Sequence, residues 1–453
     1  MQITLQNTEK GQCYAVRFDR YRQQVVDKLK TAVSVRWWDK STGAWMIPAN
    51  NKCKAELDQL TYYVRHFEPV NWGGYESKTD EDIAYQIPDM PELDEDHGLK
   101  IQPYPYQLQG IARGLQLKRF INGDDMGLGK TLESIATINK ADAFPCLVIC
   151  PNTVKINWQR EWHKFTDKKA MVLTDSVRTS WPFFWQTGMN HVFIVNYESL
   201  RKYFVRRINK SEKWTLKNVE FHNTIKLFKS VIIDESHKVK STATQQSKFC
   251  KGITAGKEWI ILLTGTPVVN KPNDLICQLA IMDRMNDLGG WKYFTSRYCS
   301  GPHGASNLKE LNFMLWKHCF FRREKSKVLT QLPDKVRQIV TCEITNRKEY
   351  QDAERDLVDY LRRYKEADDE KVQKSLKGEV MVRIGILKDI TARGKLREVI
   401  DFVKDFRENG KKIILFCNLH EIVDQLLQAF PSAVCVTGRQ DMQQKQAAID
   451  AFQ

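Results

Sequence analysis

The sequence predicts an α/β protein in which a parallel sheet carries helices on both faces, preceded by a small α+β unit. Three observations carry that expectation. Short β-branched apolar runs occur at residues 146–150, stopped by Pro151, and at 191–198, 231–235 and 260–264, which end in polar groups, the pattern of strands buried on both faces. Helix-forming segments alternate with these runs, as crossover helices do in parallel sheets. A Gly-rich turn at residues 124–131 feeds directly into the helix-forming run 132–136, so backbone N–H groups and the positive end of a helix dipole converge on one point that suits phosphate.

Residues 1–74 read as the small α+β unit. Within it, 13–18 alternates as a strand, 21–29 is helical, 33–38 is a strand, 39–43 turns, 45–48 returns as the second arm of a hairpin and 52–64 is helical. Arg17, Arg20, Arg22, Arg36 and Lys40 mix with Trp37, Trp38 and Trp45, a combination that suits nucleic-acid backbones and unpaired bases. Arg17, Arg22 and Lys40 are the candidate phosphate contacts there, while a tryptophan on a small hairpin equally serves as core. Residues 75–97 are acidic and proline-punctuated and read as a linker.

The stretch 98–335 is expected to form the main α/β unit. A helix beginning after Pro103 and Pro105 and ending near Phe120 leads into the loop Asp124, Asp125, Met126, Gly127, Leu128, Gly129, Lys130, Thr131. Lys130 would reach the β- and γ-phosphates as a point charge, and the Thr131 hydroxyl would hold Mg²⁺. The loop departs from G-x-x-x-x-G-K-[ST] in its first position, Asp124, with Gly123 beside it; a Gly-rich loop before an ordinary helix is the plain alternative. The run 231–233 ends in Asp234 and Glu235, at the edge of the sheet where ligands bind in such folds. Asp234 would hold Mg²⁺, and Glu235 would orient and deprotonate an attacking water; a solvated acidic strand end is the alternative. Residues 201–229 are dense in Lys and Arg with aromatics interleaved, which fits a duplex-contacting insertion and a solvated basic hairpin equally. Thr264 and Thr266 either report on a γ-phosphate or cap their turn.

Composition narrows the class. The 453 residues are 42% hydrophobic and carry 70 Lys and Arg against 55 acidic residues, for a net charge of +15, with a pI near 9.2. That balance points to a polyanionic partner, nucleic acid first. A membrane partner is not expected, because no run of about 18 apolar residues occurs and the N-terminus is not a signal peptide. Eleven scattered cysteines, several within apolar runs, suggest reduced buried thiols in an intracellular protein, and no Cys or His cluster supports zinc.

Taken together, residues 124–131, the sequence Asp234 Glu235 Ser236 His237 and the sequence Thr264 Gly265 Thr266 Pro267 resemble the Swi/Snf branch of superfamily 2 helicase-like ATPases. Many relatives have Ala before that His. Arg297 Tyr298 Cys299, Ser306 Asn307 Leu308 and the stretch 321–333 narrow the resemblance to the annealing-helicase, fork-remodelling group, and the hairpin at Arg36–Trp45 is similar to the HARP domain that precedes the motor there. The resemblance implies two RecA-like parallel-sheet lobes, the first at 98–335, a helical bridge or protrusion at 336–378 and the second at 379–453. A lobe of this kind takes on the order of 150 residues, so the second is read as its first half, without the arginines that the family directs at the γ-phosphate. Gln107 matches the glutamine that reads adenine; Asp125, Met126, Gly127, Leu128, Gly129, Lys130, Thr131 and Leu132 match the ATP loop. Lys155, Asn196, Tyr197 and Thr266 fall where first-lobe DNA contacts are expected. The implied function is an intracellular, monomeric, Mg²⁺- and ATP-dependent translocase on double-stranded and branched DNA, whether in a nucleoid, a viral replication site or a nucleus. Remodelling of DNA-bound proteins, or a DNA-binding module with little ATPase, are the alternatives.

Overall fold

The computed structural model describes residues 1–8, 11–65, 67–73, 85, 87–92, 97–209, 215–268, 271–299, 304–333, 335–355 and 379–453. Two compact units divide the chain, Met1–Leu332 and Pro333–Gln453. Most of the expected linker 75–97 and the end of the expected bridge, 356–378, lie outside the described residues.

The first unit opens with strands β1 (Gln2–Thr8) and β2 (Gly11–Arg17), helix α1 (Gln23–Ala32), the hairpin β3 (Trp37–Asp39) and β4 (Ala44–Pro48), helix α2 (Asn51–Val64) and strand β5 (Asn71–Gly73). They make a five-stranded sheet in the order β3-β4-β2-β1-β5. One expectation needs correcting, and one strand was not expected. The strand expected at 33–38 is confined to the hairpin arm β3, and β1, whose QITLQNT sequence turns only a few apolar side chains inward, pairs with β2 from Gln2↔Arg17 to Thr8↔Gly11. Ile3, Val16, Ile47, Leu29, Leu57 and Leu60 fill its core. Trp37 and Trp45 are partly buried against this small domain, whereas Trp38 is 49% exposed with its ring edge against Trp45.

A seven-stranded sheet follows, in the order β14-β6-β13-β12-β7-β9-β8, with every pairing parallel. Its strands are β6 (Arg119–Asn122), β7 (Cys146–Cys150), β8 (Ala170–Val172), β9 (Val192–Asn196), β12 (Ser230–Asp234), β13 (Trp259–Leu263) and β14 (Phe320–Phe321). A two-stranded antiparallel hairpin, β10 (Val205–Ile208) and β11 (Val219–Phe221), stands apart from it. Alternate residues of the central strands face opposite layers, as a pleated strand requires. Leu147, Ile149, Phe193, Val195, Val231, Ile233, Ile260 and Leu262 enter one core. Val148, Ile194, Ile232, Ile261 and Leu263 enter the other. The second layer is closed by helices α3 (Pro105–Leu117), α4 (Lys130–Lys140) and α5 (Lys155–Phe165), through residues such as Leu117, Ile135 and Trp162. The first layer is closed by α6 (Trp181–Gln186), α7 (Leu200–Phe204), α8 (Gln245–Thr254), α9 (Leu275–Ile281), α10 (Gly290–Tyr298) and α11 (Leu308–His318).

The helix expected to end near Phe120 stops at Leu117, and residues 119–122 are strand β6. Lys118, at φ 59, turns the chain between them. Four residues flanked by Arg and Asn give no strand signal of their own; β6 is held because Phe120 and Ile121 pair with Ile261 and Leu262 of β13. The small N-terminal domain packs on this unit through Arg297 of α10, which bonds Glu310 on α11 and pairs with Asp58 on α2 at 3.6 Å.

In the second unit, α13 (Arg347–Arg355) precedes the 30-residue α14 (Glu379–Glu408), and then α15 (His420–Ala429) and α16 (Met442–Phe452); a four-residue α12 (Lys325–Val328) ends the first unit. The irregular stretches 411–417 and 433–437 alternate with α15 and α16, and no strand pairing is present among the described residues of this unit. Phe416 is 96% exposed.

Arg297→Ala should cost about 2–3 kcal/mol, at or below the lower end of the roughly 3–5 kcal/mol for breaking a fully buried charge pair, because Asp58 is partly exposed. Urea unfolding followed by circular dichroism measures it, and a change under about 0.5 kcal/mol, the scale of an ordinary surface substitution, would show that Glu310 does not depend on the arginine.

Candidate nucleotide site

The parallel order puts the loop after β6 and the acidic end of β12 on either side of β13, at one edge of the sheet. Lys130 opens α4. Its Nζ donates to the carbonyls of Asp124 at 2.7 Å and Asp125 at 3.2 Å. Burial lowers its pKa, while Asp124, Glu235 and Asp234 pull the other way, so the ammonium lies within electrostatic reach of the acidic pair. Gly129, at φ 86, caps the helix in a conformation that disfavours any other residue. A Cβ there would also overlap Gln107 Nε2. Gln107 is buried: its Nε2 donates to Leu128 O at 3.1 Å, and its Oε1 accepts from Tyr104 N at 3.0 Å. It therefore ties the start of α3 to the loop.

Asp234 accepts Trp158 Nε1–H on Oδ2 and the Glu235 N–H on Oδ1, each at 2.9 Å. Burial raises its pKa and the Trp158 bond opposes that rise. Glu235 occupies the left-handed region at φ 51, a conformation that costs on the order of 1 kcal/mol or more and clusters at functional sites. His237 Nδ1 lies 3.1 Å from Glu235 Oε2 and 3.3 Å from Thr264 Oγ1. Thr264 Oγ1 also accepts the Thr266 N–H at 3.1 Å, so this hydroxyl caps its turn and contacts the acidic motif as well. Thr131 and Leu132 occupy the first turn of α4.

This donor set fits Mg²⁺. A hydroxyl and one carboxylate, each with lone pairs to spare, suit an ion that arrives on phosphates and keeps much of its water. No group of three or more His, Cys, Asp or Glu that could hold a metal alone occurs among the described residues. Thr131 and Asp234 would hold the ion, which supplies charge neutralisation at the phosphates.

The loop's remaining support comes from the far end of the unit. Beyond β14 the chain runs beside the loop, with Gly123 N donating to Phe321 O at 2.8 Å and Asp125 N to Arg323 O at 3.1 Å. Gly123 is required there, because a Cβ would come within 2.5 Å of the Phe320 ring. Arg323, 8% exposed, meets Asp124, which is fully buried, and donates to Glu133 Oε1 at 2.6 Å. Asn122 Nδ2 donates to the other Glu133 oxygen at 2.8 Å. Arg322 Nη2 and the Lys325 N–H each bond Asp125, at 3.0 Å. The Lys325 N–H first, and then the Arg322 guanidinium, hold the Asp125 carboxyl below its usual range. Trp158 and Arg323 were not among the expected site residues. The adjacent Arg322 and Arg323 stood out in sequence only as part of a resemblance, and pairing across some 199 residues leaves no local signal.

The expected DNA contacts divide. Tyr197 is 1% exposed and its hydroxyl donates to the Asp234 carbonyl, so its side chain supports the acidic strand end instead of reaching a DNA backbone. Lys155 and Asn196 are buried and bonded to each other at 3.3 Å. Arg17 spends Nε and Nη2 on Thr42 O, holding the hairpin turn. Arg22, Lys40 and Thr266 are exposed. An open cavity of about 440 Å³ at the base of the β10–β11 hairpin adds Arg201, Lys202, Arg206 and Arg207. Lys202 and Arg206 pair with Asp175 and Glu220, which leaves Arg201 and Arg207 as the cations without a carboxylate partner among the described residues.

Residues 40–399 match the SNF2-related domain. The Xenopus laevis SWI/SNF-related matrix-associated actin-dependent regulator of chromatin subfamily A-like protein 1 is 25% identical over 444 residues, 92% of this chain and 42% of that protein. Human DNA annealing helicase and endonuclease ZRANB3 is 28% identical over 263 residues, 54% of this chain and 23% of its own. The chain thus spans less than half the length of these relatives. A solved Sulfolobus solfataricus SWI2/SNF2 ATPase core in complex with dsDNA covers 80% of this chain and 78% of its own, at 23% identity and a TM-score of 0.43.

Because the Asp125 pKa is depressed, its clasp contributes stability that is complete above the ordinary carboxylate value of 3.8 and is lost as pH falls through the lowered value. Asp125→Asn should therefore lower the melting temperature at pH 7, and the gap from wild type should begin to close only below pH 3.8, as the lowered value is approached. A gap that stays constant as pH falls below 3.8 would show that the carboxylate's charge is not what holds the segment.

Proposed function

The chain belongs to the SNF2-related family, and from that premise we propose that it is a DNA-stimulated ATPase that moves along double-stranded DNA and remodels branched DNA by strand annealing and fork regression. The observation that carries the catalytic half is the convergence of Lys130 with Asp234 and Glu235 at one sheet edge. In this reading Gln107 contacts adenine, the backbone of residues 125–129 and Lys130 hold the phosphates, and Thr131 and Asp234 hold Mg²⁺. Glu235 takes the proton of the attacking water, positioned by its strained backbone and by His237. The name of the human relative, an annealing helicase, favours the branched-DNA half. A net charge of +15, the exposed Arg22, Lys40 and Trp38 of the N-terminal domain, and the Arg201–Arg207 cavity favour a nucleic-acid partner. No helix among the described residues is long and apolar enough to cross a membrane.

ATP hydrolysis should be measured with no DNA, single strand, blunt duplex and a model fork, with Lys130→Ala as the blank. The expected order is fork above duplex above single strand; turnover indifferent to DNA would remove the translocase reading. Glu235→Gln should lower turnover by about 10²- to 10⁴-fold, the usual weight of a general base, while nucleotide binding persists. Loss of binding along with turnover would assign Glu235 a structural role instead.

If the hairpin cavity meets phosphates, Arg201→Ala with Arg207→Ala should make the slope of log affinity against log salt shallower by about 0.9 per lost duplex contact. An unchanged slope would take the hairpin out of the interface.

A further inference from the structure

The phosphate loop carries a chemical contradiction. Asp124 and Asp125 sit beside the turn that would bind a polyanion, and two carboxylates there repel it. The segment leaving β14 resolves this residue by residue: Arg323 pairs with Asp124, and Arg322 pairs with Asp125. One more cation then remains on the same segment. Lys325 is anchored by its backbone N–H on Asp125 Oδ2 at 3.0 Å, and its side chain runs over the loop so that Nζ lies 3.3 Å from where a Cβ on Gly127 would stand. Its side chain is exposed, and among the described residues no carboxylate pairs with its ammonium. The nearby Lys327 differs, since it is paired with Glu324 at 3.2 Å.

We propose that Lys325 is a phosphate-binding residue of the nucleotide site, delivered to the outer lip of the loop by the segment that follows β14. This rests on the nucleotide reading given above. Lys130 and Lys325 place their ammoniums on the turn 125–128 from different elements: Lys130 bonds the carbonyls of Asp124 and Asp125, and Lys325 lies over Gly127. A polyphosphate seated in the turn meets one cation from α4 and one from the exit segment. The arginines act differently. Arg322 and Arg323 are positioning residues that neutralise the loop's own acids, and Lys325 is the cation that the exit segment, among its described residues, leaves over the loop for a ligand. Gly127 sits at φ 86; its lack of a side chain leaves the ammonium clear access to the turn. The consequence is a site selective for polyphosphate over the nucleoside, because the second cation acts only where phosphates lie.

The test is equilibrium binding of a fluorescent ATP analogue with Mg²⁺ to the full chain, competed with ATP, ADP and adenosine. Lys325→Ala should weaken ATP and ADP about tenfold, the scale of one charge-assisted hydrogen bond, and leave adenosine competition unchanged. Lys325→Arg should restore most of the loss. Lys327→Ala, which removes the same net charge two residues away, should bind as wild type. Matching losses in Lys325→Ala and Lys327→Ala would reduce the effect to net charge and overturn the assignment. Wild-type affinity in Lys325→Ala, with binding abolished by Lys130→Ala, would overturn it while leaving the nucleotide site standing. A wild-type chain with no nucleotide affinity would overturn both.

Discussion

The buried contact of Arg323 with Asp124 and Glu133 is the constraint on which the rest of the nucleotide site depends. Two carboxylates and one guanidinium in an interior of low dielectric are costly to bring together, and truncating one member leaves the others uncompensated. Burial drives the Glu133 pKa well above its usual range, with Asp124 adding to the rise and Arg323 opposing it. What the cluster secures is geometry. It joins the loop after β6, the first turns of α4 and the strand at the end of the unit, three pieces that are distant in the chain, and Arg323 also reaches the Tyr106 carbonyl at the start of α3. The turn that presents backbone N–H groups is thereby tied to strand β6 through Asn122 and Glu133 and to the exit segment through Arg323.

Asp234 and Glu235 are adjacent in sequence yet sit in different surroundings. Asp234 is held by Trp158 from α5 and by a backbone N–H, whereas Glu235 is thrown into a left-handed conformation and faces His237. Such a division suits two roles, an ion ligand that must stay in place and a base that must face water. The Tyr197 hydroxyl donates to the Asp234 carbonyl. His237 and Thr264 then link the acidic motif to the turn after β13, so that neighbouring strand ends share one polar chain.

Outside the site, the small N-terminal domain is fastened to the parallel-sheet unit at Arg297, which serves Glu310 and Asp58 together. Charge at the surface is distributed unevenly between structural and available cations. Arg17 holds a turn, Lys155 is buried against Asn196, and Lys202 and Arg206 are paired. Net charge therefore overstates the number of cations open to a polyanion, and Arg201, Arg207 and Lys325 stand out because their neighbours are already satisfied.

Periodicity and local chemistry carried much of the fold. Runs such as CLVIC and WIILL announce strands covered on both faces because every side chain in them is apolar, and a glycine turn before a helix announces an anion site because its N–H groups have no helical acceptor. Lys130, Thr131, Asp234 and Glu235 were legible as candidates for that reason: their chemistry is written within a few residues. The strands Arg119–Asn122 and Gln2–Thr8 were not, since their burial comes from neighbours and not from their own composition. Nor was the fate of Tyr197, because an aromatic after a strand reads alike whether it turns outward or inward. The residue types and their order were enough to place the phosphate loop and the acid pair in one parallel sheet. Folding across some 200 residues selected which cations would be consumed by Asp124 and Asp125 and which would remain, since ion pairing depends on distance in space, which the order of residues along a chain does not encode locally.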